Sequence, residues 1–580
     1  MVSLKFLQSE LEALVIPIAI ALSITTLAHH YLRGFSVAGN LLMAAHLNLS
    51  LAGLAWGVAI LANAEVGWLT FLIISTAFVI TVVSLSIGLV QSYEQWEVIC
   101  RKAWHRKQDP EIRPPRTHYP KVSLHVPAYS EPPELVIDTL NTLAKLDYPN
   151  FEVLMIDNNT TDPSLWRPVE QHCKKLGERF RFFHLENLPG AKAGALNFAL
   201  QNTAEDAELI SVVDSDYRVN ANFLSELVGY FDDPKMGFIQ TPQSYRDWNS
   251  DSYLKMCNWE YRLVFSTTLI SRNERMAALT VGTMGIIRRR VLDEVGGWAE
   301  WCLTEDSELC VRIHALGYRS HYLNKVYGQG LIPENFEGYK KQRFRWTFGP
   351  IQELRRHYRL LLPKPFAKAS ALTAMQKVHH AIHGLGAIKS GLEFLLLPLG
   401  ALAVASMLIH EESIHIPSHI WIALAVSGVS ALVLKWHLFR ASMGCSIKET
   451  IGALMATTSL DYIIRVASLR GLFTENSPWR RTNKFKVLPL GIGTLSAALP
   501  ELILGTSMLT VASLMLVFAS DSSLVHLVAV GWILQSLLFF SAPLLTLLAE
   551  KGIKRRSLAE EAEEQLALVS EPHNPIMKTD

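Results

Sequence analysis

Seven long, sparsely charged apolar runs constrain this chain before any other feature does. A helix needs about 20 apolar residues to cross the hydrocarbon core of a bilayer. The runs near 12–31, 38–62, 68–92, 391–409, 418–438, 488–518 and 524–549 each meet that length. The core of a soluble protein cannot absorb so many such runs. Of 580 residues, 49% are hydrophobic and 18% charged, so a lipid bilayer is the first partner predicted. Between the third and fourth runs the chain is mixed and charged, as a water-soluble domain requires. The predicted organisation is about three transmembrane helices in 1–100 and a soluble domain with an interfacial helix in 110–360. About four transmembrane helices follow in 361–550, then a tail in 551–580.

Lys and Arg concentrate in the loops that stay cytoplasmic. Arg101, Lys102, Arg106 and Lys107 follow the third run, and Lys551, Lys554, Arg555 and Arg556 follow the last. The segment 439–487 carries Arg440, Lys448, Arg465, Arg470, Arg480, Arg481, Lys484 and Lys486. The loops Ala62–Gly67, His410–Ser418 and Ser520–Ser523 have no Lys or Arg. Basic loops fall on one side and the others on the opposite side. The soluble domain is therefore expected in the cytoplasm, with the chain integral to the plasma (inner) membrane. The first run has neither a basic region before it nor a small-residue cleavage site after it, and reads as a span.

The formal net charge of +1 argues against nucleic-acid binding driven by bulk charge. The six cysteines are scattered, without a CxxC pair or zinc-type spacing, and read as reduced thiols. His29-His30 and His379-His380 lack metal-ligand companions and read as surface or interface histidines.

Within the soluble domain, Val122–Val126, Phe151–Ile156, Arg181–Leu185, Leu209–Val213 and Gly237–Gln240 read as strands. Glu134–Leu146, Ser164–Leu176, Ala191–Asn202 and Asn222–Phe231 read as helices. This alternation predicts an α/β domain with a mostly parallel sheet covered on both faces, which binds ligands beyond the carboxyl ends of its strands. Those ends carry Tyr129-Ser130-Glu131, Asp157-Asn158-Asn159 and Asp214-Ser215-Asp216. Asp and Asn are ordinary turn residues, but carboxylates one residue apart also suit Mg²⁺ or Mn²⁺ completed by substrate phosphates. Neither a dinucleotide fingerprint nor a P-loop is present. Lys192, at a Gly-rich helix start, reads equally as a solvated lysine or as a cation that meets a diphosphate with the exposed N–H groups there.

Thr304-Glu305-Asp306 and Gln342-Arg343-Phe344-Arg345-Trp346 follow. Gln342, Arg345 and Trp346 are spaced i, i+3 and i+4 and share one helix face. Acids opening a helix, like Glu305 and Asp306, also have a purely structural explanation in the helix dipole. With Asp157 and the DxD of Asp214 and Asp216, these motifs resemble the processive family 2 glycosyltransferases, which include cellulose, chitin, hyaluronan and curdlan synthases. The resemblance covers roughly 120–350 and the flanking spans.

That resemblance implies a GT-A (Rossmann-like) fold inserted between transmembrane segments. It implies nucleotide-sugar contacts from Tyr129, Glu131, Asp157, Lys192, Asp214 and Arg345, and Mg²⁺ or Mn²⁺ on Asp214 and Asp216. Asp306 would be the catalytic base, flanked by Glu305 and Thr304. Gln342, Trp346, Gly282 and Thr283 would border the acceptor. In 473–487, Trp479, Thr482 and Lys484 are similar in spacing to the gating loop of cellulose synthases, while Arg481 departs from its Val. Ile156–Thr160 and Leu165–Pro168 resemble bacterial β-glucan synthases, particularly the β-1,3 type. The implied reaction is polymerisation, with export, of a β-glucan from UDP-glucose onto a growing polysaccharide acceptor. The alternatives are UDP-N-acetylglucosamine or GDP-mannose as donor, or a single transfer to a lipid-linked acceptor. A transporter with a regulatory soluble domain would instead show working ionisable groups in its spans, for which Glu393 and Glu501 are the candidates. The tail is too short for an appended cyclic-dinucleotide-binding domain, leaving such control to regulatory or periplasmic partner chains.

Overall fold

A computed structural model describes residues 19, 22–27, 30, 34–111, 118–249, 251–479, 481–482, 484–485, 487–518 and 522–570. Most of the expected span at 12–31, His29 and the tail beyond 570 lie outside the described residues. Six described helices are long and apolar enough to cross a membrane: Val37–Ala62, Trp68–Cys100, Ala374–Ile409, Ile420–Met443, Gly491–Phe518 and Ser523–Ala559. They follow the other six apolar runs in order, and the chain is a multi-pass membrane protein.

The first two of these are α1 (Val37–Ala62) and α2 (Trp68–Cys100). The soluble domain follows, with strands β1 (Lys121–Ala128), β2 (Phe151–Asn158), β3 (Phe180–Leu185), β4 (Ala207–Val212), β5 (Arg218–Val219), β6 (Met236–Gln240), β7 (Gly285–Arg288), β8 (Arg319–Tyr322) and β9 (Gly328–Gln329). Its principal helices are α3 (Pro133–Leu143), α4 (Pro163–Leu176), α5 (Ala191–Gln201), α6 (Ser252–Ser266), α7 (Glu305–Ala315) and α8 (Phe336–Leu361). The membrane region resumes with α9 (Ala374–Ile409), α10 (Ser418–Met443), α11 (Ile447–Ser459), α12 (Asp461–Phe473), α13 (Leu499–Phe518), α14 (Ser523–Phe539) and α15 (Ser541–Ser570).

The seven-stranded sheet has the order β3-β2-β1-β4-β7-β6-β8. All eight residues of β2 are buried, the continuous burial expected of a parallel strand covered on both faces. Hydrophobic clusters lie on both sides of the sheet, one around Leu124, Val153 and Phe223, the other around Ile210, Phe238 and Leu309. Local sequence sets the helix starts. Pro133 and Pro163 open α3 and α4 where no amide partner is needed, and the Asp162 side chain accepts from the Ser164 amide.

The seven-stranded sheet is mostly parallel, as expected, with β7 running antiparallel to both β4 and β6. One expectation needs correction. The helix expected over 222–231 is a short α-helix, Phe223–Leu227, that tightens into a 3₁₀ turn over Val228–Asp232. For His379 and His380, expected at the surface or in an interface, the interface is what forms: they are 1% and 4% exposed. His379 meets Glu94 of α2 at 2.6 Å, and His380 meets His314 of α7 at 2.9 Å. They form an interface between α9, α2 and the soluble domain.

The loops free of Lys and Arg meet at one end of the helical bundle. The Gly67 amide donates to Glu412 Oε1 at 2.6 Å, and the Ile414 amide donates to Ser522 Oγ at 3.2 Å. At the other end, α2 joins the soluble domain through Arg101 and Glu274, 3.2 Å apart. Glu393 and Glu501 are paired with cations, Glu393 with Lys389 at 2.8 Å and Glu501 with Lys340 at 2.5 Å. All six cysteines are free and buried.

Candidate active site

Because β1 and β4 are neighbours whose connections leave in opposite directions, a crevice opens beyond their carboxyl ends. The cleft there has a volume of about 510 Å³ and is lined from β1, β2 and β4, from the start of α7, from α8 and from the 479–484 segment. Several non-glycine residues around it hold positive φ: Ser130 (50°), Asn159 (62°), Ala191 (48°) and Met284 (55°). Such backbone strain clusters where a site is held in place by its surroundings.

Lys192, at the start of α5, reaches Asp214 Oδ1 at 2.6 Å and the Gly282 carbonyl at 2.9 Å. Burial opposes its charge, but Asp214, Glu305 and Asp306 outweigh that and raise its pKa. Burial also works against a charged Asp214, yet Lys192 and Lys484 hold its pKa below the ordinary carboxylate value. Asp216 Oδ2 accepts from Lys484 Nζ and from the Leu331 amide, each at 3.0 Å. Each carboxylate of the DxD pair thus meets an ammonium group. Among the described residues no cluster of three or more His, Cys, Asp or Glu is built to hold a metal alone. Two carboxylates completed by phosphate oxygens nevertheless form a donor set that suits Mg²⁺ or Mn²⁺.

Asp306 and Glu305 open α7 at the floor of the cleft. Burial raises the pKa of Asp306, with Lys192 opposing; burial and then Asp306 itself raise that of Glu305. A Cβ at Gly282, where φ is +78°, would stand 3.0 Å from Asp306 Oδ2, so the close approach of this turn requires glycine.

From α8, Gln342, Arg345 and Trp346 face the cleft together. Gln342 Oε1 accepts from the Tyr261 hydroxyl. Trp346 packs edge-on to Tyr261, with ring centroids 5.6 Å apart. Arg345 donates to the Thr482 hydroxyl at 3.1 Å and lies over the Trp479 ring at 5.5 Å. The expected gating loop therefore lies in the cleft: Trp479 packs edge-on against Tyr129 at 5.9 Å, and Arg481 Nη2 meets Glu131 Oε2 at 3.0 Å.

Two expected residues stand behind the cleft rather than lining it. Asp157 accepts from the Thr160 hydroxyl at 2.6 Å and meets His184 Nδ1 at 2.7 Å, while Asn158 and Asn159 line the cavity. Thr283 is 2% exposed, and its hydroxyl accepts from the Asp214 amide at 3.1 Å. Sequence reading missed the partnership of Arg481 with Glu131, and it missed Glu353, which accepts from the Thr304 hydroxyl at 2.7 Å. Arg481 had stood out only by departing from the gating-loop pattern. Nothing in the local sequence distinguished Glu353 from an ordinary helix acid.

Residues 120–349 match the family model described as "Glycosyltransferase like family 2". The UDP-forming cellulose synthase catalytic subunit of Pseudomonas fluorescens is 28% identical over 375 residues, covering 63% of this chain and 47% of that protein. The chain thus spans about half the length of that relative. Glucomannan 4-beta-mannosyltransferase 1 of Cyamopsis tetragonoloba is 24% identical over 451 residues, covering 73% of this chain and 81% of that protein. Among solved structures, the mannosyltransferase PcManGT from Pyrobaculum calidifontis, in complex with GDP-Man and Mn²⁺, is 19% identical with a TM-score of 0.46, covering 69% of this chain and 98% of that one. Residues 120–349 accordingly match a family 2 glycosyltransferase domain, carried on a mixed sheet between apolar helices.

Proposed function

We propose that this chain is a membrane-embedded inverting glycosyltransferase that polymerises a β-glucan from UDP-glucose on the cytoplasmic side of the plasma membrane and exports it. One observation carries the reading: Asp214 and Asp216, Asp306, the Gln342–Trp346 face and the Trp479–Lys484 segment all line one cleft. The cellulose and glucomannan relatives support polymer synthesis. The β-1,3 linkage rests on the resemblance of residues 156–168, while the names of the glucomannan relatives support a β-1,4 product. GDP-mannose is the second donor to test, because a 4-beta-mannosyltransferase matches most of its own length.

In this mechanism Tyr129, Glu131 and the Asp157 strand end surround the nucleotide. Lys192 stands beside the diphosphate and offsets the charge it gains as it departs. Asp214 and Asp216 are the residues that would hold Mg²⁺ or Mn²⁺, whose chemistry there is neutralisation of phosphate charge. Asp306 takes the proton from the acceptor hydroxyl as that oxygen attacks the anomeric carbon, and Glu305 adds negative charge beside it. Gln342 and Trp346, with Gly282 opposite, border the acceptor, and Trp479, Thr482 and Lys484 close over the donor. A positioned base is worth about 10²–10⁴-fold, so Asp306→Asn is expected to lose that much turnover while binding nucleotide normally. Membranes holding the full chain would be offered labelled UDP-glucose, UDP-N-acetylglucosamine and GDP-mannose in turn, and the product digested with linkage-specific glycanases. Wild-type-like turnover by Asp306→Asn would remove Asp306 from the mechanism.

A further inference from the structure

Beneath the turn that carries Asp306, α8 presents Gly349, Gln352 and Glu353. The Glu353 carboxyl is buried, 4% exposed. Its Oε1 accepts from the Thr304 hydroxyl at 2.7 Å and from the Ser307 hydroxyl. Gln352 Oε1 accepts from the Leu303 amide at 3.0 Å, while its Nε2 donates to the carbonyls of Trp301 (3.1 Å) and Glu475 (2.9 Å). At Gly349 a Cβ would lie 2.0 Å from Thr304 Oγ1, so the turn rests directly on the helix backbone. Residues on both sides of Glu305 and Asp306 are therefore fixed by α8, the same helix that carries Gln342 and Trp346.

Burying a carboxyl group is costly unless its oxygens are satisfied. A position needed only for packing would be filled as well by Leu or Met. Both hydroxyls converge on one oxygen, which leaves Oε2 toward His383 Nε2 of α9, 4.0 Å away. That His383 nitrogen has no hydrogen-bond partner among the described residues. Burial pushes the Glu353 carboxyl up to about 8. This fits an acid that is protonated on the oxygen left without a hydroxyl donor.

We propose that Glu353 is a positioning residue: it holds the Thr304–Ser307 turn through the two hydroxyls and so aims the Asp306 carboxylate at the acceptor. The inference rests on the reading of Asp306 as the base. Misplacing a reacting group by about 1 Å can cost on the order of 10²-fold in rate, and that is the size of effect expected from removing the acceptor.

The test compares Glu353→Gln, Glu353→Leu, Ser307→Ala and Asp306→Asn in the full chain in membranes. The donor is whichever of UDP-glucose, UDP-N-acetylglucosamine and GDP-mannose the wild type turns over. Glu353→Gln keeps an acceptor oxygen and should retain kcat within about 3-fold of wild type. Glu353→Leu should lose kcat on the order of 10²-fold with KM for the nucleotide sugar unchanged. Should Glu353→Leu fail to accumulate, Ser307→Ala decides: kcat down several-fold at constant KM supports the role, and unchanged kcat overturns it. Wild-type kcat in Glu353→Leu, or an equal loss in Glu353→Gln, also overturns it. An active Asp306→Asn, or a wild type that turns over none of the three donors, would instead bring down the catalytic reading itself. An inactive Asp306→Asn beside a fully active Glu353→Leu would bring down the positioning role alone.

Discussion

The charge of Asp306 is set by opposing influences. Burial, the largest, disfavours it, while Lys192 and then the backbone amides of Ser307 and Asp306 favour it. In its proposed role as general base Asp306 must be unprotonated to act, so turnover should fall as pH drops through a value above the ordinary 3.8 of an aspartate. Removing the nearby cation leaves burial opposed only by the backbone amides of Ser307 and Asp306. In Lys192→Met the acid limb of the kcat/KM profile should therefore move upward by on the order of one pH unit, whatever the loss in overall rate. An acid limb that stays in place would mean that the limiting group is not the carboxylate facing Lys192. The same shift has a stability consequence of definite sign. The folded state binds the Asp306 proton more tightly than the unfolded chain does. Its contribution is thus full below the unfolded pKa and is lost as pH rises through the folded one.

At the scale of elements, the 479–484 segment is the most informative, because it brings two cations, Arg481 and Lys484, and the Trp479 ring into the cleft from beyond α12. Arg481 and Glu131, 350 residues apart in sequence, join this loop to the end of β1. The two side chains are 26% and 21% exposed, so the pair is partly screened, and exposed or partly exposed pairs are worth up to about 1 kcal/mol. Arg481→Val should accordingly speed amide hydrogen exchange across 473–487 roughly 2–5-fold without nucleotide, and high salt should do the same to the wild type. Equal exchange in both proteins would show that the Arg481–Glu131 pair does not hold the loop. This pairing also marks the limit of what sequence reveals. Asp214, Asp306 and Trp346 were legible because each is a special residue type at a strand end or on one helix face. The strands β1, β2 and β4 were legible as apolar runs closed by turn residues. By contrast, β7 has only four residues, Gly285–Arg288, and becomes a strand only because β4 and β6 flank it. Arg481 and Glu353 gain meaning only from partners brought to them by the fold, which no local pattern encodes.

At the scale of the whole molecule, the two kinds of loop separate by position as well as by charge. The Lys- and Arg-free loops touch one another through Gly67, Glu412, Ile414 and Ser522. The basic segment after α2 lies against the glycosyltransferase domain instead, Arg101 meeting Glu274. A membrane between those two ends would put the cleft and its nucleotide sugar on one side and the loop His410–Ser418 on the other. Basic loops are enriched on the cytoplasmic side, so the proposed topology puts the cleft there. The protein offers a clean way to check this, since all six native cysteines are buried and should label poorly. Ser413 and Lys145 are both exposed, the first in the loop after α9 that lacks Lys and Arg and the second after α3 in the domain. Ser413→Cys should react with a membrane-impermeant maleimide in intact cells, and Lys145→Cys only after permeabilisation. The reverse pattern would place the active site outside and leave the domain without access to its donor. Labelling of both in intact cells would mean that the apolar helices do not span the bilayer as their lengths suggest.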